Sequence, residues 1–191
     1  SDPCDILIHT GDWSNSRDIE ENQKEFFNFL DWVDRELKHI PYKLFVPGNH
    51  NVFEFNNQRK AKKLFKKVGV DLLIDEEIVI NGIKFYGSPY VPTYGDWVFM
   101  KKRAKMFEHW QKIPEDTNVL ITHGPPKGIL DLTEDRNHKL SQEGDQALKT
   151  VIDTCLKKLI LHTFSHIHSS KNVTNNGILK RGGVYYSNAS I

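Results

Sequence analysis

Asp5-Ile6-Leu7-Ile8-His9-Thr10-Gly11-Asp12 is the stretch whose reading decides the fold. A short apolar run bounded by turn residues is the pattern of a buried strand, here residues 5–9. Thr10-Gly11-Asp12 is the turn that ends it. Downstream, Asp18 and Glu21 have the spacing of a capping box. Phe26, Leu30, Val33 and Leu37 then recur on one helical face. Pro41 stops that helix. Residues 43–46 form a second strand, which ends at Pro47-Gly48. Two strands around one helix make a β-α-β unit, so the strands are parallel and the crossover is right-handed.

The remaining chain extends this unit. Residues 59–68 read as a basic helix with Ala61, Leu64, Phe65 and Val68 inward. Its six Lys and Arg residues suit a solvated face better than a phosphate-attracting patch. Residues 78–80 and 83–86 flank Asn81-Gly82, a strong hairpin signal. A helix over 101–112, a strand over 119–122, an amphipathic helix over 145–157 and a strand over 159–164 follow. A closing hairpin is expected around Asn175-Asn176-Gly177 and residues 184–187. The class is α/β, and residues 1–191 read as a single domain with no repeat or interdomain linker.

Composition narrows the function. The chain is 38% hydrophobic and 27% charged, as ordinary globular proteins are. A formal charge of +1 argues against a broad nucleic-acid or membrane surface. No segment reads as a membrane span or a signal peptide. Cys4 and Cys155 form no CxxC and lie far apart, which favours a reducing, cytoplasmic setting.

Four polar clusters carry the chemistry: Gly11-Asp12, Gly48-Asn49-His50, His123-Gly124-Pro125 and His166-Ile167-His168. Each lies just beyond the carboxyl end of a predicted strand, the edge where open α/β sheets bind ligands. They supply a carboxylate, an amide oxygen and imidazoles, which suit divalent transition metals. Two metals about 3.5–4 Å apart can clamp a phosphate and activate water. Asp12 on a glycine turn suits a bridging ligand, although alone it would pass for an Asx turn. Asn49 can offer its side-chain oxygen. His123 and His166 suit one metal and His168 the other, with His166 and His168 pointing the same way if the chain there is extended.

His50 is placed to stabilise charge on the phosphate or to protonate the leaving alkoxide. Tyr90, Tyr94 and Trp97 suit either a base-stacking pocket or plain loop packing. His9 reads as structural, and His39, His109, His138 and His162 show no clustering. No GxSxG, P-loop or GxGxxG is present.

These blocks resemble, in order and at typical separations, the calcineurin-like metallophosphoesterase superfamily. Ile6-Leu7-Ile8-His9-Thr10-Gly11-Asp12, Tyr86-Gly87-Ser88-Pro89-Tyr90-Val91-Pro92, His123-Gly124-Pro125-Pro126-Lys127-Gly128 and Asn188-Ala189-Ser190 look like its small MPPED-type phosphodiesterases. The resemblance implies a two-layer β-sandwich flanked by helices. It also implies a binuclear centre of Mn, Fe, Zn, Ni or Co ions, with Mn favoured. Small phosphodiesters, cyclic nucleotides among them, would be cleaved by hydroxide generated at the metals. Asp12 would bridge, Asn49, His123 and His166 would complete one metal, His168 would serve the other, and His50 would assist catalysis.

Three positions depart from the family pattern. Asn51 stands where an acid is common, and Ser165 where glycine precedes His-x-His. The family's opening Asp-x-His and its strand are missing ahead of Gly11-Asp12; Asp2 is followed two residues on by Cys4. The expectation is that they precede this sequence in a longer protein, or that Ser1-Asp2-Pro3 spans a gap. Their true absence would favour a non-catalytic scaffold on the same fold. A nuclease is disfavoured by the charge balance.

Overall fold

The computed structural model describes residues 4–190, so Asp2 lies outside the described residues. The chain first lays down β1 (Ile6–His9), α1 (Ile19–Glu36), β2 (Tyr42–Phe45), α2 (Val52–Asn56), α3 (Gln58–Lys67) and β3 (Val70–Leu72). β1, β2 and β3 form a parallel sheet in that order, so the β-α-β reading holds. Then come β4 (Glu76–Ile80), β5 (Ile83–Ser88), β6 (Val91–Pro92), β7 (Met100–Lys101), α4 (Arg103–Trp110), β8 (Val119–Thr122), β9 (Leu132–Glu134) and β10 (Leu140–Gln142). α5 (Gln146–Thr154), β11 (Leu161–Phe164), β12 (Gly177–Arg181) and β13 (Val184–Asn188) complete it. The second sheet runs β12-β13-β11-β8-β5-β4. Its four inner strands are parallel, and the β4–β5 and β12–β13 hairpins close its edges.

Strand alternation stacks these sheets. Leu44 and Val46 pack with Phe85, Val119 and Ile121 in a core between the two sheets. Phe45, one residue out of step, turns to the other face and meets Phe26, Phe53, Ala61 and Phe65 from the first three helices. On the second sheet, Tyr86, Leu120 and Phe164 face α4 and α5 through Met106, Trp110, Leu148 and Val151. The period of two sends alternate residues of a strand to opposite faces, so one strand serves two cores. The result is a β-sandwich with a helical layer on each outer face.

Local chemistry explains the element ends. Asp18 caps α1 by accepting the Glu21 N–H at 2.9 Å. The reciprocal half of the capping box is not made: the Asp18 N–H goes to Ser16 Oγ and the Glu21 carboxylate to Lys24. Asp145 caps α5 through the Ala147 N–H at 2.8 Å and accepts the Trp110 indole N–H at 2.6 Å. α4 begins at Arg103, later than expected, because Met100 and Lys101 pair with Val91 and Pro92 instead. Asn81 and Gly82 both take positive φ, as the predicted hairpin turn demands. The closing hairpin turns at Gly182-Gly183, while Gly177 opens β12. β1 is half-buried rather than buried, because it is an edge strand of its sheet among the described residues.

Candidate metal centre

β1 and β2 come from one sheet, β8 and β11 from the other. The carboxyl ends of all four meet. Across 113 residues, His123 Nδ1 lies 2.7 Å from the Thr10 carbonyl. The Ser165 N–H donates to the His123 carbonyl at 2.9 Å. This edge holds every predicted site residue.

Asp12 follows Gly11 in the left-handed region, at φ 62°. Its N–H donates to Asn51 Oδ1 at 3.0 Å, and the Gly48 N–H reaches the same oxygen at 2.7 Å. Asp12 Oδ1 accepts the His50 N–H at 2.9 Å, and Oδ2 lies 3.2 Å from His123 Nε2. A Cβ on Gly48 would sit 2.2 Å from Asp12 Oδ1 and 2.5 Å from His123 Cε1. Glycine there is a condition of the cluster's closeness.

A carbonyl only accepts, so the contact with Thr10 places the His123 proton on Nδ1. The Nε2 lone pair then faces two more acceptors, Asn49 Oδ1 at 2.9 Å and Asp12 Oδ2 at 3.2 Å. Three lone-pair atoms converging without a proton call for a cation. Otherwise the imidazole must take a second proton. Burial alone would lower the His123 pKa, but the Asp12 charge and hydrogen bond and the Thr10 carbonyl raise it overall. Burial would raise that of Asp12, but His123 and the His50 N–H hold it well below the usual carboxylate range. Burial, aided by His123, pushes His166 down to about 3, which keeps its imidazole neutral and able to ligate.

Asp12, His123 and His166 each offer an atom within 4.8 Å of the others. Asn49 joins them through its contact with His123. His168 is not part of that trio; it lines the adjoining cavity together with His166. The condition for His166 and His168 to point the same way, an extended chain, is not met, because β11 stops at Phe164 and His166 takes φ 72°. The donor set fits a divalent cation. His50 stacks on Trp97 with ring centroids 3.8 Å apart.

The cavity beside the cluster measures about 510 Å³, with Tyr90, Tyr94, Trp110 and Pro125 in its wall. Tyr94 approaches His166, with ring centroids 5.3 Å apart. Burial and the Asp12 charge push its hydroxyl up to about 12.

Several supporting residues escape the sequence reading. Asn51 lies outside the expected ligands, yet its carboxamide ties the Asp12 and Gly48 turns together. Asn22 is fully buried on α1, where it takes the Phe53 N–H and donates to the His50 carbonyl. Its position four residues before Phe26, on the apolar face, is the available signal. Ser165 donates to the Thr10 carbonyl at 2.9 Å. His9 accepts the Gly11 N–H and shapes that turn. Ser88, His109 and Asp75 cluster too, but Ser88 Oγ and Asp75 Oδ1 both contact His109 Nε2, whereas a catalytic triad uses opposite ring nitrogens. Ser88 is also fully buried.

Residues 1–170 match the sequence profile of the calcineurin-like phosphoesterases. The chain belongs to that family. Calcineurin-like phosphoesterases generally use divalent metals, in keeping with the cluster. Among relatives, UPF0046 protein K07C11.7 of Caenorhabditis elegans is 35% identical over 91% of this chain and 59% of its own length. Metallophosphoesterase domain-containing protein 1 of Homo sapiens is 30% identical over 98% of this chain and 60% of its own. The chain thus spans about 60% of the length of these relatives. The crystal structure of TT1561 of Thermus thermophilus shares the fold, with a TM-score of 0.56 at 11% identity, covering 97% of this chain and 76% of that one. Among the described residues no helix is long and apolar enough to cross a membrane.

Proposed function

We propose that this calcineurin-like phosphoesterase is one domain that hydrolyses small phosphodiesters, cyclic nucleotides among them, with manganese as the favoured ion, in the cytoplasm. The observation that carries the reading is the convergence of His123 Nε2, Asn49 Oδ1 and Asp12 Oδ2, with His166 alongside. Asp12, Asn49, His123 and His166 would hold one ion. Asp12 and His168 would contribute to a second. Divalent ions, when bound, polarise phosphoryl oxygens and lower the pKa of water to about 7.

The chain's own part is positioning and proton handling. Asn51 and Gly48 hold Asp12 in place. His50, whose N–H is anchored on Asp12, is the group we assign to protonate the leaving oxygen. The cavity beyond His166 gives the ester group an aromatic and apolar seat, which favours diesters over small monoesters. The two distant free cysteines suit a reducing setting.

The test uses metal-depleted protein with bis(p-nitrophenyl) phosphate and p-nitrophenyl phosphate. Turnover is expected only after Mn²⁺ is added, higher on the diester, and lost in Asp12→Asn and His123→Ala. Metal titration gives the number of ions. Hydrolysis unaffected by chelation refutes the reading. Inactivity with every divalent ion tried would move the assignment to the scaffold alternative.

A further inference from the structure

Trp97 lies flat on His50, with centroids 3.8 Å apart and planes 26° from parallel. The Arg17 guanidinium carbon is 4.0 Å from the Trp97 ring centroid. At such distances one face of an indole holds one group, so the ring is sandwiched between imidazole and guanidinium. We infer that Trp97, clamped by Arg17, is a positioning residue that sets the orientation of the His50 imidazole. The inference rests on the proton-donor role proposed for His50.

The His50 backbone is held on both sides. Its N–H donates to Asp12 Oδ1 at 2.9 Å, and its carbonyl accepts from Asn22 Nδ2 at 2.8 Å. Those bonds fix where the side chain starts but leave its two torsions free. The indole plane restricts both, because a flat contact admits only orientations parallel to it.

Trp97 can act as a wall because its own loop is anchored. The Val98 N–H donates to the Asn49 carbonyl at 3.3 Å, next to His50 itself. Phe99, fully buried at φ 51°, packs against Phe55 and Tyr90. The Thr93 N–H closes the other side on the Lys101 carbonyl at 2.8 Å. Arg17 covers the outer face through a cation–π contact. Of the two readings of Trp97, a base-stacking pocket or loop packing, its contacts with His50 and Arg17 favour packing.

A misdirected proton donor slows cleavage according to how much the leaving group needs a proton. An alkoxide needs one, whereas p-nitrophenolate leaves without it. The experiment compares wild type, Trp97→Leu, Trp97→Phe and Arg17→Gln on 2′,3′-cyclic AMP and bis(p-nitrophenyl) phosphate. NMR shifts of the His50 ring protons are recorded in the metal-free proteins.

In the wild type those protons are expected upfield, under the indole ring current. Trp97→Leu should return them toward free imidazole and lower kcat on 2′,3′-cyclic AMP by about 10–100-fold with KM little changed. The loss on the aryl diester should be far smaller. Trp97→Phe should restore most of both signals. Arg17→Gln, a surface change that leaves the core intact, should move them partway. Unshifted ring protons in Trp97→Leu overturn the stack, and equal losses on the two esters, or a KM effect alone, overturn the positioning role. Full activity in His50→Ala would instead remove the role proposed for His50, while the ring shifts still judge the stack.

Discussion

Asn51→Ala is the change that tests the site's scaffold most directly. The residue is fully buried, and its Oδ1 is the shared acceptor for the Asp12 and Gly48 N–H groups, at 3.0 and 2.7 Å. Alanine leaves two donors without that partner. Each orphaned buried donor costs about 1–3 kcal/mol, so the loss should be about 2–6 kcal/mol. For a chain of this size each kcal/mol moves Tm by about 2–4 °C, so the midpoint should fall by about 4 °C at the least. Asp12 would also be freed from the left-handed geometry that aims its carboxylate at His123, and Mn²⁺ affinity should fall by about 10–100-fold.

Asn51→Asp separates the causes. It keeps both acceptor contacts and removes an amide NH₂ that has no partner among the described residues, while setting a second negative charge beside Asp12. Its metal-free stability should fall by less than that of Asn51→Ala. Urea denaturation of metal-free protein gives the stability, and titration calorimetry the affinity. A loss under about 1 kcal/mol in Asn51→Ala would refute the claim that this carboxamide holds the turns together.

Gly48→Ala puts a methyl 2.2 Å from Asp12 Oδ1; calorimetry should show Mn²⁺ affinity reduced by at least about tenfold. Phe65→Ala empties a fully buried site against Phe26, Phe45 and Trp13 and should cost about 3–5 kcal/mol in urea. Glu54 is fully buried beside the Trp13 indole N–H, and burial raises its pKa from 4.5 to about 7. The folded state therefore holds a proton that the unfolded state releases between those values, so stability falls as pH rises from 4.5 to about 7. Glu54→Gln, which keeps the indole's acceptor, should match wild type near pH 4.5 and exceed it by about 3 kcal/mol at pH 8 in metal-free denaturation. Equal pH profiles would refute that account.

Local sequence was enough to place most elements. The apolar run before Gly11, the facing residues Phe26 and Val33, and Asn81-Gly82 each encode structure through period and turn chemistry alone, so the β-α-β unit and the first hairpin were legible. The polar residues that gather at this edge were legible too, because a glycine turn after a strand exposes short polar side chains at one edge of a sheet.

What local pattern could not supply is anything that depends on the second sheet closing over the first. Phe45 and Leu44 are both apolar, and only the sandwich sends them to different cores. His166 and His168 alternate in sequence, but the chain leaves β11 before reaching them. Asn51, Asn22 and Ser165 look like turn or helix polar residues until N–H and carbonyl groups 28 to 155 residues away are brought against them. Trp97 gave no sign that its partner was His50. The physical reason is common to all of these: period and propensity act over a few residues, whereas a shared acceptor, a stacked ring or a convergence of lone pairs exists only once distant strand ends meet.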